Sequence, residues 1–215
     1  MTTEREWEEM FRDCGAYWLH DGHPERPYAR LTSGLISNGF FNGGRVAEDG
    51  HLFGLACTAL WRKADGAGIA NKNLRVAGAE KGGISLSSRI AEAGHCFSAY
   101  AEKMGDDLIF LRPNIRDEEE FLLVEDTITT GGTIKKLYGA VVSLRPDTLI
   151  KIKRVVLALC NRSGKTHIEG LQIIALISPT FTAWKEGENP FTPDGKELVA
   201  PVRPKTNWHE LTRDY

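Results

Sequence analysis

Several things are scarce in this sequence, and each scarcity removes a class of protein. No apolar run approaches the roughly 18 residues that a membrane-spanning helix needs, and no charged-then-apolar leader opens the chain. No long Lys/Arg block appears, and 27 basic against 29 acidic residues leave a net charge of −2. That balance gives no electrostatic reason to expect nucleic acid or membrane as the main partner. The four cysteines, Cys14, Cys57, Cys96 and Cys160, are scattered without a CxxC pair, which suits reduced thiols in a cytosolic protein. Internal repeats and low-complexity tracts are absent. The expectation is a soluble, cytoplasmic protein. At 215 residues, 41% of them apolar, the chain can build one globular domain with a full core.

The densest chemistry lies between Phe121 and Thr133, FLLVEDTITTGGT. Four apolar residues are a length that suits a buried strand of a parallel sheet. Glu125 and Asp126 follow, then Thr127, Thr129, Thr130, Gly131, Gly132 and Thr133. A strand that gives way to small hydroxyl and glycine residues before a helix is the layout of an anion site at the carboxyl edge of an open sheet. Glycines let N–H groups converge on a phosphate, threonines add donors, and the helix from about Thr133 points its positive end at the same place. Carboxylates beside such a loop would repel phosphate. They fit if they hold ribose hydroxyls or reach a Mg²⁺ that phosphates also hold. The plainer reading is a strand, an acidic turn and a capped helix without a ligand.

These residues resemble the motif with which type I phosphoribosyltransferases bind 5-phosphoribosyl 1-diphosphate (PRPP): a strand, two acids and a Thr/Gly-rich loop. The stretch LTSGLISNGFFNGGRV, residues 31–46, is similar to the N-terminal signature of orotate phosphoribosyltransferases, in Ser33, Gly34, Ser37, Phe40, Phe41 and Asn42. It departs from that signature at Thr32, where the family has a lysine that helps hold PRPP, and at Leu35 and Ile36, where the family has a basic pair. Read alone, the stretch also fits a β-hairpin with core phenylalanines.

Leu74–Gly78 reads as a short strand that runs into AEKGG, where Gly82 and Gly83 open a helix and Lys81 adds a point charge. The resemblance makes this the loop that takes the diphosphate, and a surface turn is the alternative. After that helix the family carries a mobile, basic loop that closes over PRPP. Here Lys103 stands at a plausible place, while Ala99 and Tyr100 occupy positions expected to be basic. Cys96–Tyr100 and Ile109–Arg112 read as hairpin partners. The run Asp117–Glu120 reads as a solvated turn. Lys151–Leu159 and Leu171–Ile177 read as further strands, alternating with helices as in a parallel sheet. Arg162, at the end of the first of them, can grip a carboxylate through two parallel hydrogen bonds; it is the candidate for base recognition, or else a surface ion-pair partner. His20 and His23 lie in a loop with no cysteine or carboxylate cluster near in sequence, a weak case for a metal pair.

The resemblance implies an α/β fold: a central, mainly parallel sheet flanked by helices, with a small N-terminal hood. Residues 1–45 would form the helix and hood, 46–178 the core, and 179–215 a tail that wraps the body or helps build a dimer contact. It also implies a reaction that moves ribose 5-phosphate from PRPP to a nucleobase. Glu125 and Asp126 would hold the ribose hydroxyls, and Thr127 to Thr133 the 5-phosphate. Lys81, Gly82 and Gly83, with PRPP-borne Mg²⁺, would hold the diphosphate, and Lys103 would cap the leaving group. Ser33, Phe40, Phe41 and Arg162 would choose the base. Three readings stay open: transfer to orotate, transfer to another base, or a PRPP-binding regulatory protein without turnover. A homodimer is implied as well.

Overall fold

The computed structural model describes residues 2–69, 71, 73–116, 119–144 and 151–215. The chain opens with helix α1 (Glu4–Asp13), started by a capping box in which Thr3 and Glu6 satisfy each other's backbone N–H groups. Trp7 and Phe11 are its buried face. Four short strands follow: β1 (Tyr17–Leu19), β2 (Ala29–Arg30), β3 (Ile36–Ser37) and β4 (Gly39–Phe41). Helices α2 (Gly43–Glu48) and α3 (Gly50–Gly66) lead to β5 (Leu74–Ala79) and α4 (Gly82–Ala93). Next come β6 (Phe97–Met104), β7 (Asp107–Ile109), β8 (Glu120–Ile128) and α5 (Gly132–Ser143). The remainder is β9 (Lys151–Asn161), β10 (His167–Ile168), β11 (Leu171–Ile177), β12 (Ala183–Trp184) and α6 (Trp208–Thr212).

Seven strands form one sheet in the order β10-β11-β9-β8-β5-β6-β7. The five inner strands pair in parallel, and the two edges are antiparallel. This is the expected mainly parallel α/β architecture. Alternation along β8 divides the core in two: Leu122 and Val124 join the cluster containing α3 and α4 residues, whereas Phe121 and Leu123 join the one containing α5 residues. The sheet order reverses between β5 and β8, so the crevice at their carboxyl ends is the topological switch point, where open α/β sheets bind ligands.

Four expectations need correction. The strand does not stop at the acids: β8 runs through Glu125, Asp126 and Thr127 to Ile128, paired with β9, while its ladder with β5 ends at Val124. The hairpin expected from Cys96–Tyr100 and Ile109–Arg112 has a longer first strand and a much shorter connection. Its β6 half runs to Met104 and its β7 half covers Asp107–Ile109, with Gly105 in the left-handed region (φ +63°) at the turn. Lys136 on α5 ties that turn down by donating to the Asp106 carbonyl. Glu119 is no solvated turn residue, because it is 5% exposed and receives the Arg75 guanidinium in two hydrogen bonds of 2.6 and 2.7 Å. Asp117 and Glu118 lie outside the described residues.

The fourth correction concerns the hood, which both ends of the chain build. β12 pairs with β3, and β3 with β2. Trp18, Ala29 and Leu211 form one small core against Phe40, Val202 and Trp208. The Trp18 Nε1–H donates to the Leu211 carbonyl at 2.8 Å.

Candidate active site

Beyond Val124, β8 has lost its neighbour β5, and the crevice that opens there is flanked by the two acids. Strand alternation sends them to opposite sides. Glu125 lines a cavity of about 360 Å³ together with Glu80, Lys103, Thr129 to Thr133 and Lys136. Asp126 points the other way, toward Gly43 and Gly82. A Cβ built on either glycine would lie 2.6 Å from Asp126 Oδ2. Both positions must therefore be glycine for the carboxylate to sit there. Gly82 was expected in a phosphate-binding loop; Gly43 was not picked out, since nothing in NGGRV signals a contact 83 residues away in sequence.

Burial pushes the Glu125 carboxyl up to about 7, with the Asp126 charge adding to the rise and the Thr133 hydroxyl opposing it. Its Oε2 is buried without a hydrogen-bond partner among the described residues. A buried, unpartnered carboxylate oxygen is costly unless a ligand donor reaches it. Asp126 is also raised by burial, against the pull of the Thr127 N–H, which donates to Oδ1 at 2.8 Å, and of the Lys205 charge.

The loop between β8 and α5 is shaped as an anion cradle. Gly131 caps α5 in the left-handed region (φ +86°), and a Cβ there would also meet Ile168 at 2.6 Å. The helix N-terminus thus opens on Thr129, Thr130, Gly132 and Thr133 around the same cavity. Lys165 braces the loop from outside by donating to the Thr130 carbonyl at 3.3 Å. On the facing strand, Gly78 and Gly83 approach backbone to backbone, which fixes α4 tightly against the end of β5. Lys81 sits exposed just before α4, joined to Glu80 by a cis peptide bond, and only Glu80 of the two borders the cavity. Lys103, on the hairpin, does border it.

The aromatic wall is set apart: Arg162 and Phe181 line a second cavity, of about 500 Å³, distinct from the one that Glu125 lines. The Arg162 guanidinium sits 5.9 Å from the Phe40 ring centroid and 5.2 Å from that of Phe181. It makes no side-chain hydrogen bond or ion pair among the described residues, and burial pulls its pKa down. Phe181 follows a strand that was expected; its role beside Arg162 was not legible, because the segment carries no motif. Phe41 leaves the expected set: it is 3% exposed and packs edge-on to Phe11 at 5.3 Å, a core residue rather than a wall of the crevice. The register explains this, since Phe40 and Phe41 alternate across β4. Ser33 is exposed in the Leu31–Leu35 turn and makes no side-chain hydrogen bond to this wall. His20 accepts from the Gly22 N–H through Nδ1 at 2.9 Å and contacts the Arg26 carbonyl through Nε2 at 2.9 Å, so both its ring nitrogens are engaged within the loop.

Solved structures with this arrangement define the class. The chain superposes on the orotate phosphoribosyltransferase of Aeropyrum pernix with a TM-score of 0.58 at 18% identity, over 80% of this chain and 93% of that one. An adenine phosphoribosyltransferase from Saccharomyces cerevisiae gives 0.59 at 15% identity, over 80% and 99%. The fold is therefore that of the phosphoribosyltransferases. Comparison with protein-family models returns no match. Sequence relatives narrow the class further: the orotate phosphoribosyltransferase of Pelotomaculum thermopropionicum is 30% identical over 193 residues, 89% of this chain and 93% of the relative. That of Caldicellulosiruptor bescii is 27% identical over 196 residues, 90% and 94%. The chain belongs to the orotate phosphoribosyltransferase family.

Proposed function

We propose that this protein transfers ribose 5-phosphate from PRPP to orotate, giving orotidine 5′-phosphate and diphosphate in pyrimidine nucleotide biosynthesis. The observation that carries the reading is the pair of oppositely directed carboxylates, Glu125 and Asp126, set against a glycine-rich helix N-terminus at the sheet's switch point. A ribose bearing phosphate at one end and diphosphate at the other supplies what each part lacks. Its hydroxyls donate to the carboxylates, including the unpartnered Glu125 Oε2. Its 5-phosphate accepts from the Thr127 to Thr133 loop. Its diphosphate lies toward Lys81, Gly82 and Gly83, with Lys103 above the leaving group.

In the reaction the anomeric C–O bond breaks and its electron pair leaves with diphosphate. The base ring nitrogen supplies the pair for the new C–N bond and gives up its proton. The transition state resembles an oxocarbenium ion, so fixed geometry and charge placement carry the rate. Among the described residues no group of three or more His, Cys, Asp or Glu side chains converges as a metal cage. That donor set fits Mg²⁺ held chiefly by substrate oxygens, with Glu125 and Asp126 as the carboxylates within reach. Bound there, the cation would neutralise charge on the departing diphosphate. Arg162, desolvated between Phe40 and Phe181 and without an ion pair among the described residues, suits the orotate carboxylate.

The reading includes a cytoplasmic homodimer. The exposed apolar residues Met104 and Leu111, each 55% accessible, flank the hairpin and suit a second copy. The test of the activity is diphosphate release with PRPP and Mg²⁺ across orotate, uracil and purines. Turnover confined to orotate is expected. Turnover on another base would reassign the substrate, and PRPP binding without turnover on any base would make the protein a sensor.

A further inference from the structure

The segment between β11 and β12 brings one aromatic ring, Phe181, to the cavity that Arg162 lines. The residue after it is pinned from both directions. The Thr182 N–H donates to Asn38 Oδ1 at 2.9 Å, and the Asn38 N–H donates to the Thr182 carbonyl at 3.2 Å. One position further, Ala183 pairs with Ser37 in the β12–β3 ladder. The ring itself rests on Gly39: a Cβ built there would lie 2.7 Å from the Phe181 Cγ and nearer still to its Cδ1 and Cε1. A glycine inside a strand often marks such a close approach. Any side chain at position 39 would displace the ring.

Phe181 is held this tightly without being a core residue. It touches Tyr17, at 5.5 Å between ring centroids, yet it stays only partly buried and borders the cavity with the Arg162 guanidinium 5.2 Å from its centroid. Two neighbouring phenylalanines were expected at the base. One of them, Phe41, is withdrawn into the core, and Phe181 is the ring that stands with Phe40 at Arg162 in its place. A guanidinium grips a carboxylate in the plane of its fork, while an aromatic face beside it can stack on the ring that bears the carboxylate. Cation and face together describe a flat, anionic heterocycle. A neutral base or an aliphatic acid satisfies only one of the two.

We infer that Phe181 is a specificity-determining residue of this site, an aromatic surface for the base whose carboxylate Arg162 holds, and that Gly39 is its positioning residue. The inference rests on the proposed function and adds to it a contact from a part of the chain that carries no motif. Loss of this ring costs affinity for the base and leaves the PRPP end, assigned to Glu125 to Thr133, as it is.

Steady-state kinetics of the full chain at saturating PRPP and Mg²⁺, with orotate varied, test this. Phe181→Leu keeps apolar bulk and removes the stacking face, so the KM for orotate should rise about tenfold. The Kd for PRPP, by titration calorimetry with Mg²⁺, should stay at the wild-type value. Phe181→Tyr keeps the ring and should restore most of the lost affinity. Gly39→Ala should raise the same KM by moving the ring, and combined with Phe181→Leu it should add little. Phe191→Leu, in a hood aromatic that packs on Tyr28 and Trp184 and does not line this cavity, should match the wild type. Phe181→Leu and Gly39→Ala perturb one ring by separate routes, so either alone decides the matter if the other fails to fold. If the wild type turns over orotate and these variants keep its KM within twofold, or weaken PRPP equally, the inference falls while the proposed function stands. If the wild type turns over no carboxylate-bearing base, both fall.

Discussion

The two parts of the candidate site are built in contrasting ways. The part proposed for ribose and phosphate comes from one continuous stretch, Glu125 to Thr133, in which strand alternation aims the acids and a left-handed glycine starts a helix. The aromatic side is assembled from Phe40, Arg162, Phe181 and Trp208, brought together from four separate parts of the chain. The first side is a property of local backbone geometry, so its chemistry is written in consecutive residues. The second is a property of tertiary packing and can change without leaving a motif behind. A family can therefore keep the one and vary the other.

The sharpest way to break this contrast is to damage each side separately. Asp126→Asn keeps the shape and removes the charge; kcat/KM should fall about a thousandfold, as when a preorganised electrostatic group is lost. Steady-state kinetics with the variant's circular dichroism unchanged would check it. Phe41→Ala should act on stability alone, costing about 3–4 kcal/mol in denaturant unfolding, because its ring fills the core beside Phe11. If it instead raised the KM for orotate without loss of stability, the division of Phe40 and Phe41 between wall and core would be wrong. Arg162→Ala should raise the KM for orotate about a hundredfold and leave PRPP affinity unaltered, the mark of a bidentate carboxylate contact confined to the base side.

A smaller effect separates the acids from the wall by pH. Glu125 is raised in the folded chain from 4.5 to about 7, so the folded state holds its proton across a range where the unfolded state has lost it. Stability of the free protein should therefore fall as pH rises from about 4.5 to 7, by roughly 3 kcal/mol from this group, with Asp126 acting in the same direction. Glu125→Gln should flatten that slope, as followed by chemical denaturation at pH 5 and pH 8. Smaller again is the effect of Lys103→Ala. Turnover should drop about tenfold with PRPP binding intact if this hairpin lysine, which lines the cavity, caps the leaving group as proposed. Unaltered turnover would leave the hairpin without a part in the chemistry.

Legibility in the sequence followed the same division. β5, β8, β9 and β11 were readable because a buried parallel strand is a short apolar run, and α3, α4 and α5 because their apolar spacing is helical. Glu125 to Thr133 was readable because every residue type there has a local reason. The hairpin was misplaced by several residues, because Glu102, Lys103 and Met104 carry no strand signal and pairing fixes them. Glu119 looked solvated because its partner, Arg75, lies 44 residues earlier. The hood's second half was invisible because Ala183 and Trp184 become a strand only when β3 pairs with them.

The way the hood is closed sets an order of events in folding. Its contacts join residues separated by 144 positions, as from Thr182 to Asn38, and by 193, as from Trp18 to Leu211. Contacts of such separation carry a large loop-closure cost and come late. The sheet and the loop between β8 and α5 can thus consolidate before the aromatic wall exists. Since Trp18, Trp184 and Trp208 all belong to the hood and the chain has five tryptophans, the slow phase of refolding should dominate the fluorescence signal, and base affinity should return with it.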